Sequence, residues 1–191
     1  LPDDEREMLE RARALIPRLA ERAPAATAAR RVPAETIAEY HEAGILRILQ
    51  PRRFGGREGR FSLFSQIVEE LTYGCASSAW VYAVLAEHQW ILAQYPERAQ
   101  VDVWGDDPLA VASSSLAPRA AARRVACGGS RLSGRFPFRA AATTRNGRSL
   151  APFSARWATR TLSPTSWCRS PTPRLSTTGR SWASPAPAAN R

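Results

Sequence analysis

Gly74-Cys75-Ala76-Ser77-Ser78-Ala79-Trp80-Val81-Tyr82-Ala83-Val84-Leu85 is the stretch that decides the fold. Its second half is apolar nearly all round. A helix with no polar face belongs inside a larger body and does not lie on a surface. Ser77 or Ser78 offers a capping hydroxyl at its start. The pattern runs to about Tyr95, and Pro96 then opens a short helix that reaches Trp104.

Such a helix needs neighbours, and the chain upstream supplies them. Residues 3–23 read as a helix, with Asp3, Asp4 and Glu5 favouring its N-terminus through the dipole. Leu9, Ala12, Leu15, Ile16 and Leu19 recur at helical spacing, and Pro17 falls inside the pattern and predicts a kink. Pro33 sits in a favourable first-turn position before a second helix over 34–43, stopped by Gly44. Residues 45–49 are a short apolar stretch, and Phe54-Gly55-Gly56 reads as a turn. A helix over 61–75 carries Leu63, Phe64, Ile67, Val68 and Leu71 on one side.

Downstream of Trp104 the period changes. Residues 109–116 are small and β-capable, 124–127 follow, and Gly128-Gly129 make a tight turn into 131–138. Helices followed by strands imply two domains. The expected fold class is therefore α+β: an all-α N-terminal domain over 1–106, then the first strands of a β domain over 107–138.

Composition breaks at Phe138. All 17 acidic residues precede it and none follows. The chain has no Lys, so its 27 basic residues are all Arg, the usage expected of very GC-rich coding DNA. The formal charge of +10 arises almost wholly after Phe138, where nine Arg stand without an acid, and is no property of the helical part. Residues 139–191 show neither period and are rich in Ser, Thr, Pro, Ala and Arg. Such a segment is expected to stay disordered, because it cannot bury enough apolar surface to offset its ordering entropy.

No apolar run approaches the ~20 residues of a membrane span. Cys75, Cys127 and Cys168 are odd in number and lack CxxC spacing, which argues against a disulfide framework or a zinc site and fits a cytoplasmic location. No P-loop, GxGxxG, Ser-His-Asp set or metal cluster is present.

The run from Gly74 to Trp80, then His88, Trp90 and Tyr95-Pro96, is distinctive. With Glu42-Ala43-Gly44, Pro51-Arg52-Arg53-Phe54-Gly55-Gly56, Ser113-Ser114-Ser115, Pro118 and Leu132-Ser133-Gly134, it resembles the flavin-dependent monooxygenases of the acyl-CoA dehydrogenase fold. These are the oxygenase components of two-component aromatic hydroxylases. The resemblance covers 1–138. It implies an all-α domain leading into a β-barrel and, in the complete protein, a C-terminal helical bundle in a homotetramer. It also implies reduced flavin (FAD or FMN) from a separate flavin reductase, and transfer of one oxygen atom from O2 to a phenolic small molecule.

The resemblance assigns roles residue by residue. His88 would contact the phenolic oxygen of the substrate; the bland reading is a core histidine with a satisfied ring. Ser113, Ser114 and Ser115 would bond the flavin edge, Ser114 foremost; the bland reading is a polar strand end. Phe136 stands where the family usually has Trp and would pack near the flavin, or else simply within a hairpin. Arg123-Arg124 could meet a flavin phosphate, although solvated surface charge is the commoner role. His41 reads as a surface residue.

Beyond Phe138 the family would continue Phe-Ser-Ser-Gly-Cys-Asp-His-Ala-X-Trp. The chain instead has Arg139-Ala140-Ala141-Ala142-Thr143-Thr144-Arg145-Asn146-Gly147. Codons TTC TCG AGC GGC TGC GAC CAC GCG CAA TGG encode the family pattern, and deleting one T after TTC yields the observed residues. The same shift at 182–190 uncovers Leu-Gly-Leu-Ala-Gly-Thr-Gly-Ser-Lys, again family-like. The expectation is a single-base deletion at codon 139, a tail over 139–191 that is out of frame, and a truncated, inactive chain. Alternatives are an acyl-CoA dehydrogenase proper, disfavoured because Ser113-Ser114-Ser115-Leu116-Ala117-Pro118 stands where that family shows Thr-Glu-Pro, and a non-functional fragment or basic nucleic-acid-binding tail.

Overall fold

The computed structural model describes residues 2–112, 119–124 and 130–135. The expectations for Ser113–Ser115, Phe136 and the tail lie outside these residues. Among the described residues there are six α-helices: α1 (Asp3–Arg13), α2 (Ile16–Ala29), α3 (Ala34–Glu42), α4 (Phe61–Thr72), α5 (Ala76–Ala93) and α6 (Glu97–Trp104). Two 3-10 turns, Ile45–Arg47 and Arg52–Phe54, join α3 to α4. A two-stranded antiparallel pair, β1 (Arg119–Arg124) and β2 (Ser130–Arg135), follows.

The first helix differs from expectation. Residues 3–23 form two helices, interrupted at Ala14 and Leu15. Pro17 falls in the first turn of α2, where its missing N–H costs nothing, so it starts a helix where a kink was expected. The second helix also runs past residue 23 to Ala29. It tolerates Pro24 because that residue is exposed and the carbonyl it leaves unpaired can meet water. Arg30, left-handed at φ 49°, closes it.

α4 and α5 pack side by side with α1 against α4. Met8, Leu19, Ile37, Tyr40, Ile67, Leu71, Tyr82 and Leu85 form the core they share. Residues 45–49, expected to be apolar and short, place Ile45, Leu46 and Ile48 in that core. The Glu5 carboxylate accepts both Arg60 Nε (2.7 Å) and Arg60 Nη2, tying the start of α1 to the start of α4. That pairing holds the Glu5 carboxyl below its ordinary range.

The start of α5 is also corrected. Cys75, extended at φ −161°, occupies the capping position, and its carbonyl accepts the Ala79 N–H at 2.9 Å. Ser78 lies inside the helix and is buried. The turn before it is tight: a Cβ on Gly74 would stand 2.7 Å from Ile16 O and 2.8 Å from Leu19 Cβ. Only glycine lets α2 approach here.

The strands fall earlier than the sequence suggests. β1 ends at Arg124, where a strand was expected to begin, and β2 covers the first part of the expected 131–138. Arg119-Ala120-Ala121-Ala122-Arg123-Arg124 has weak intrinsic strand preference. Pairing with β2, Arg119 opposite Arg135 and Arg124 opposite Ser130, overrides that preference. Residues 109–112 form no strand.

Candidate functional site

His88 is placed by the α5 helix and is buried, 6% exposed. Its Nδ1 lies 2.5 Å from the Val84 carbonyl oxygen, one turn back. A carbonyl only accepts, so Nδ1 carries the hydrogen, and in the neutral ring Nε2 holds the lone pair. The helix itself thus fixes both tautomer and ring orientation. Nδ1 of His88 is thus committed to the fold.

What lies around His88 is set by the chain after α6. Gln89, 1% exposed, donates through Nε2 to Ala110 O at 3.3 Å. Leu92, one turn beyond His88, forms a small second core with Trp104 and Ala112. The segment leaving the helical body therefore returns onto α5 at positions flanking His88. Ser113, the next residue in the chain, lies outside the described residues.

A separate cleft of about 430 Å³ lies between the Pro51–Gly59 turn and α5. Trp90 and Gln94 form one wall, and Arg52, Arg53 and Glu58 the other. Arg53 Nη2 donates to Gln100 Oε1 at 2.8 Å. His88 does not line this cleft. It stands about 200° from Trp90 around the helix, so the two residues that read as one motif serve different faces. Trp90 is 45% exposed and meets Phe61 edge to face at 5.8 Å. Trp80 is likewise half-exposed, so the nearly all-apolar helix has apolar residues both inside and outside the described core.

His41, expected at the surface, is half-buried at the end of α3. Tyr40 and Tyr82 stack edge to face at 5.5 Å inside the core, and burial drives both hydroxyls well above their ordinary range. Sequence reasoning missed Gln50, Gln89 and Gln100, all buried. The signal was available for Gln89, a lone amide inside an apolar helix next to His88. Among the described residues no cluster of His, Cys, Asp or Glu could hold a metal ion, and no helix is long and apolar enough to cross a membrane.

Residues 2–105 match the family profile described as acyl-CoA dehydrogenase, N-terminal domain. The FADH(2)-dependent resorcinol hydroxylase, oxygenase component, of Rhizobium sp. (strain MTP-10005) is 46% identical over 110 residues, 58% of this chain and 27% of that protein. The flavin-dependent monooxygenase, oxygenase subunit HsaA, of Rhodococcus jostii (strain RHA1) is 38% identical over 117 residues, 61% of this chain and 31% of that one. The crystal structure of the HsaA monooxygenase from M. tuberculosis superposes with a TM-score of 0.68 at 34% identity, covering 72% of this chain and 37% of that chain. The chain thus spans well under half the length of the relatives it matches.

Proposed function

The chain belongs to the acyl-CoA dehydrogenase family through its N-terminal domain, and from that premise we propose that it is the N-terminal part of the oxygenase component of a flavin-dependent aromatic monooxygenase. The observation that carries the reading is His88: a buried imidazole with Nδ1 bound to Val84 O, on a helix to which the chain returns immediately before three serines. The likeness to proteins named as oxygenase components supports the same reading.

Reduced flavin is the cofactor this function requires, and FAD is favoured over FMN by the name of the resorcinol-hydroxylating relative. The residues present fit it in their chemistry. Ala112, buried with Leu92 and Trp104, delivers the chain to the helix of His88, and the three consecutive hydroxyls that follow suit the polar edge of a flavin ring. Ser113, Ser114, Ser115 and Phe136 would hold it. When bound, reduced flavin supplies the electrons with which O2 gives one atom to the aromatic ring and the other to water.

The remaining work falls to the protein. His88 contacts the phenolic O–H of the substrate, orients the ring and helps polarise it for attack. The surrounding Leu85, Gln89 and Leu92 are all buried and keep water from that proton. A separate flavin reductase supplies the cofactor, and a homotetramer is the proposed assembly. Residues 1–106 make the helical domain and 107–138 the start of the β domain. Residues 139–191 come from a shifted frame, with Arg139 and Ala140 standing where the family pattern has serine.

Oxygen transfer tests this reading. With one base restored after the Phe138 codon, the protein given reduced FAD and resorcinol is expected to release a hydroxylated product. His88→Ala is expected to lower turnover by roughly 10²–10⁴-fold with its fold intact. Oxidation of an acyl-CoA without oxygen transfer would decide for a dehydrogenase.

A further inference from the structure

Residues 105–112 follow α6 with no regular secondary structure, and Ala112 is nevertheless 4% exposed. Where such an irregular segment turns its backbone toward the protein, its carbonyls must find partners outside any ladder, because one shielded from water and left unpaired is costly. Three side chains from three different elements provide them. Gln50, in the turn after α3, donates through Nε2 to Pro108 O at 2.9 Å and to Phe54 O at 3.0 Å. Gln89, on α5, donates to Ala110 O at 3.3 Å. Trp104, the last residue of α6, donates through Nε1 to the same Ala110 O at 3.3 Å. All three side chains are buried, at 0%, 1% and 0% exposure. The segment adds its own turn, Ala110 N to Asp107 O at 3.0 Å and Leu109 N to Asp107 Oδ1 at 3.1 Å.

We infer that Gln50, Gln89 and Trp104 are positioning residues: a three-point clamp that fixes the exit of the helical body on the α5 face carrying His88. This deepens the proposed function and rests on it for the flavin. Its content is geometric. Gln89 is adjacent to His88 in sequence, and Leu92, which packs with Ala112, lies one helical turn beyond His88. Holding Pro108 and Ala110 from three directions sets where Ala112 meets Leu92 on α5. Glutamine suits the task better than an acid. Its amide donates to carbonyls, whereas a carboxylate would face them with like charge. The double acceptance at Ala110 O makes Gln89 and Trp104 partly redundant, so the clamp is expected to loosen in steps.

Hydrogen–deuterium exchange on the full chain tests the clamp without any cofactor. Gln50→Met and Gln89→Met keep length and apolar volume and remove the donor. Each is expected to speed exchange at Leu109, Ala110, Val111 and Ala112 by roughly tenfold, the order of one lost hydrogen bond, with α1 and α4 unchanged. Trp104→Phe, which keeps a ring and loses only the N–H, is expected to give a smaller rise. Gln66→Met, on α4, is the control and should leave 109–112 as they are. The second readout is FAD binding by flavin fluorescence quenching, with Kd expected to rise at least severalfold in the two glutamine variants.

Unchanged exchange at 109–112 in both glutamine variants would overturn the clamp. Faster exchange with an unchanged FAD Kd would overturn the positioning role. If the unmodified chain binds no FAD, the flavin reading fails for this chain, and the exchange data alone decide whether the clamp exists.

Discussion

Among the described residues the molecule has two cores built on different principles. The larger, between α1, α3, α4 and α5, is aliphatic and aromatic: Met8, Ile37, Leu71 and Leu85 are each buried to 2% exposure or less. The smaller, Leu92 with Trp104 and Ala112, is minor in apolar content and is ringed by amides, with Gln50, Gln89 and Gln100 donating to backbone carbonyls around it. The first is held by area removed from water. The second is held by directional bonds that no periodic pattern announces. The candidate chemistry sits at the second, where bond geometry fixes the chain more narrowly than packing alone would.

The comparison breaks most visibly in the large core. Leu85→Ala removes a fully buried side chain and is expected to cost about 2–5 kcal/mol, the range for a leucine cavity that cannot collapse. Chemical denaturation checks it. A loss under ~1 kcal/mol would mean that this region repacks freely and that the large core is less rigid than its burial implies.

Gly74→Ala tests the same core from the opposite direction, by overfilling. Its new methyl would press on Ile16 O and Leu19 Cβ at 2.7 and 2.8 Å, and neither is the end of a flexible side chain. The expected loss is about 1–3 kcal/mol, again read from a denaturation midpoint. A neutral result would show that α2 can slide away from the α4–α5 turn.

The difference between the cores also explains what could be read from sequence. Leu9, Ala12, Leu19, Leu63, Ile67 and Leu71 lie at helical spacing, and all are buried as that spacing requires. The helical domain was legible because burial repeats with the turn of the helix. Its interruptions were not. Pro17 looked like a kink and proved to be a start, since proline's effect depends on whether the lost N–H had a partner. Cys75 replaced Ser77 or Ser78 as the cap because backbone extension placed it there, without a side-chain bond. At the candidate site, His88 was legible as a titratable group in an apolar helix. Its Nδ1 bond and the Gln89–Ala110 contact were not, since both depend on how the chain returns from α6. Residues 109–112 misled for a related reason: they are β-capable, but the Ala110 carbonyl is taken by two side chains and not by a neighbouring strand.

Gln50→Met sharpens the comparison at the second core. Losing one donor shared by Phe54 O and Pro108 O is expected to cost about 1 kcal/mol globally, because both bonds are partly buried and water can reach the carbonyls left behind only in part. The effect on stability should fall below that of Leu85→Ala, while its effect on residues 109–112 should exceed it. Denaturation and local exchange measured on both variants would separate the two. Equal local loosening by Leu85→Ala would show that the cores are one cooperative unit.

The smallest effect belongs to neither core. Glu39, on α3, accepts Arg22 Nη1 at 2.7 Å, Arg22 Nη2 at 2.8 Å and Arg18 Nη1 at 3.1 Å, joining α3 to α2. The Arg22 hydrogen bonds hold the Glu39 carboxyl below its ordinary value of 4.5, and Arg18 adds to this. A depressed carboxyl contributes stability that is fully present above the unfolded-state value and is lost as pH falls through the folded one. Unfolding free energy should therefore decline below about pH 4.5. Glu39→Gln should remove the part of that decline due to this group. Near neutral pH the same variant should be less stable by no more than ~1 kcal/mol, because Arg18 is open to solvent and water screens the pair. An acid limb identical in the two proteins would assign it elsewhere, first to Glu5, which Arg60 holds down in the same way at the other end of the helical body.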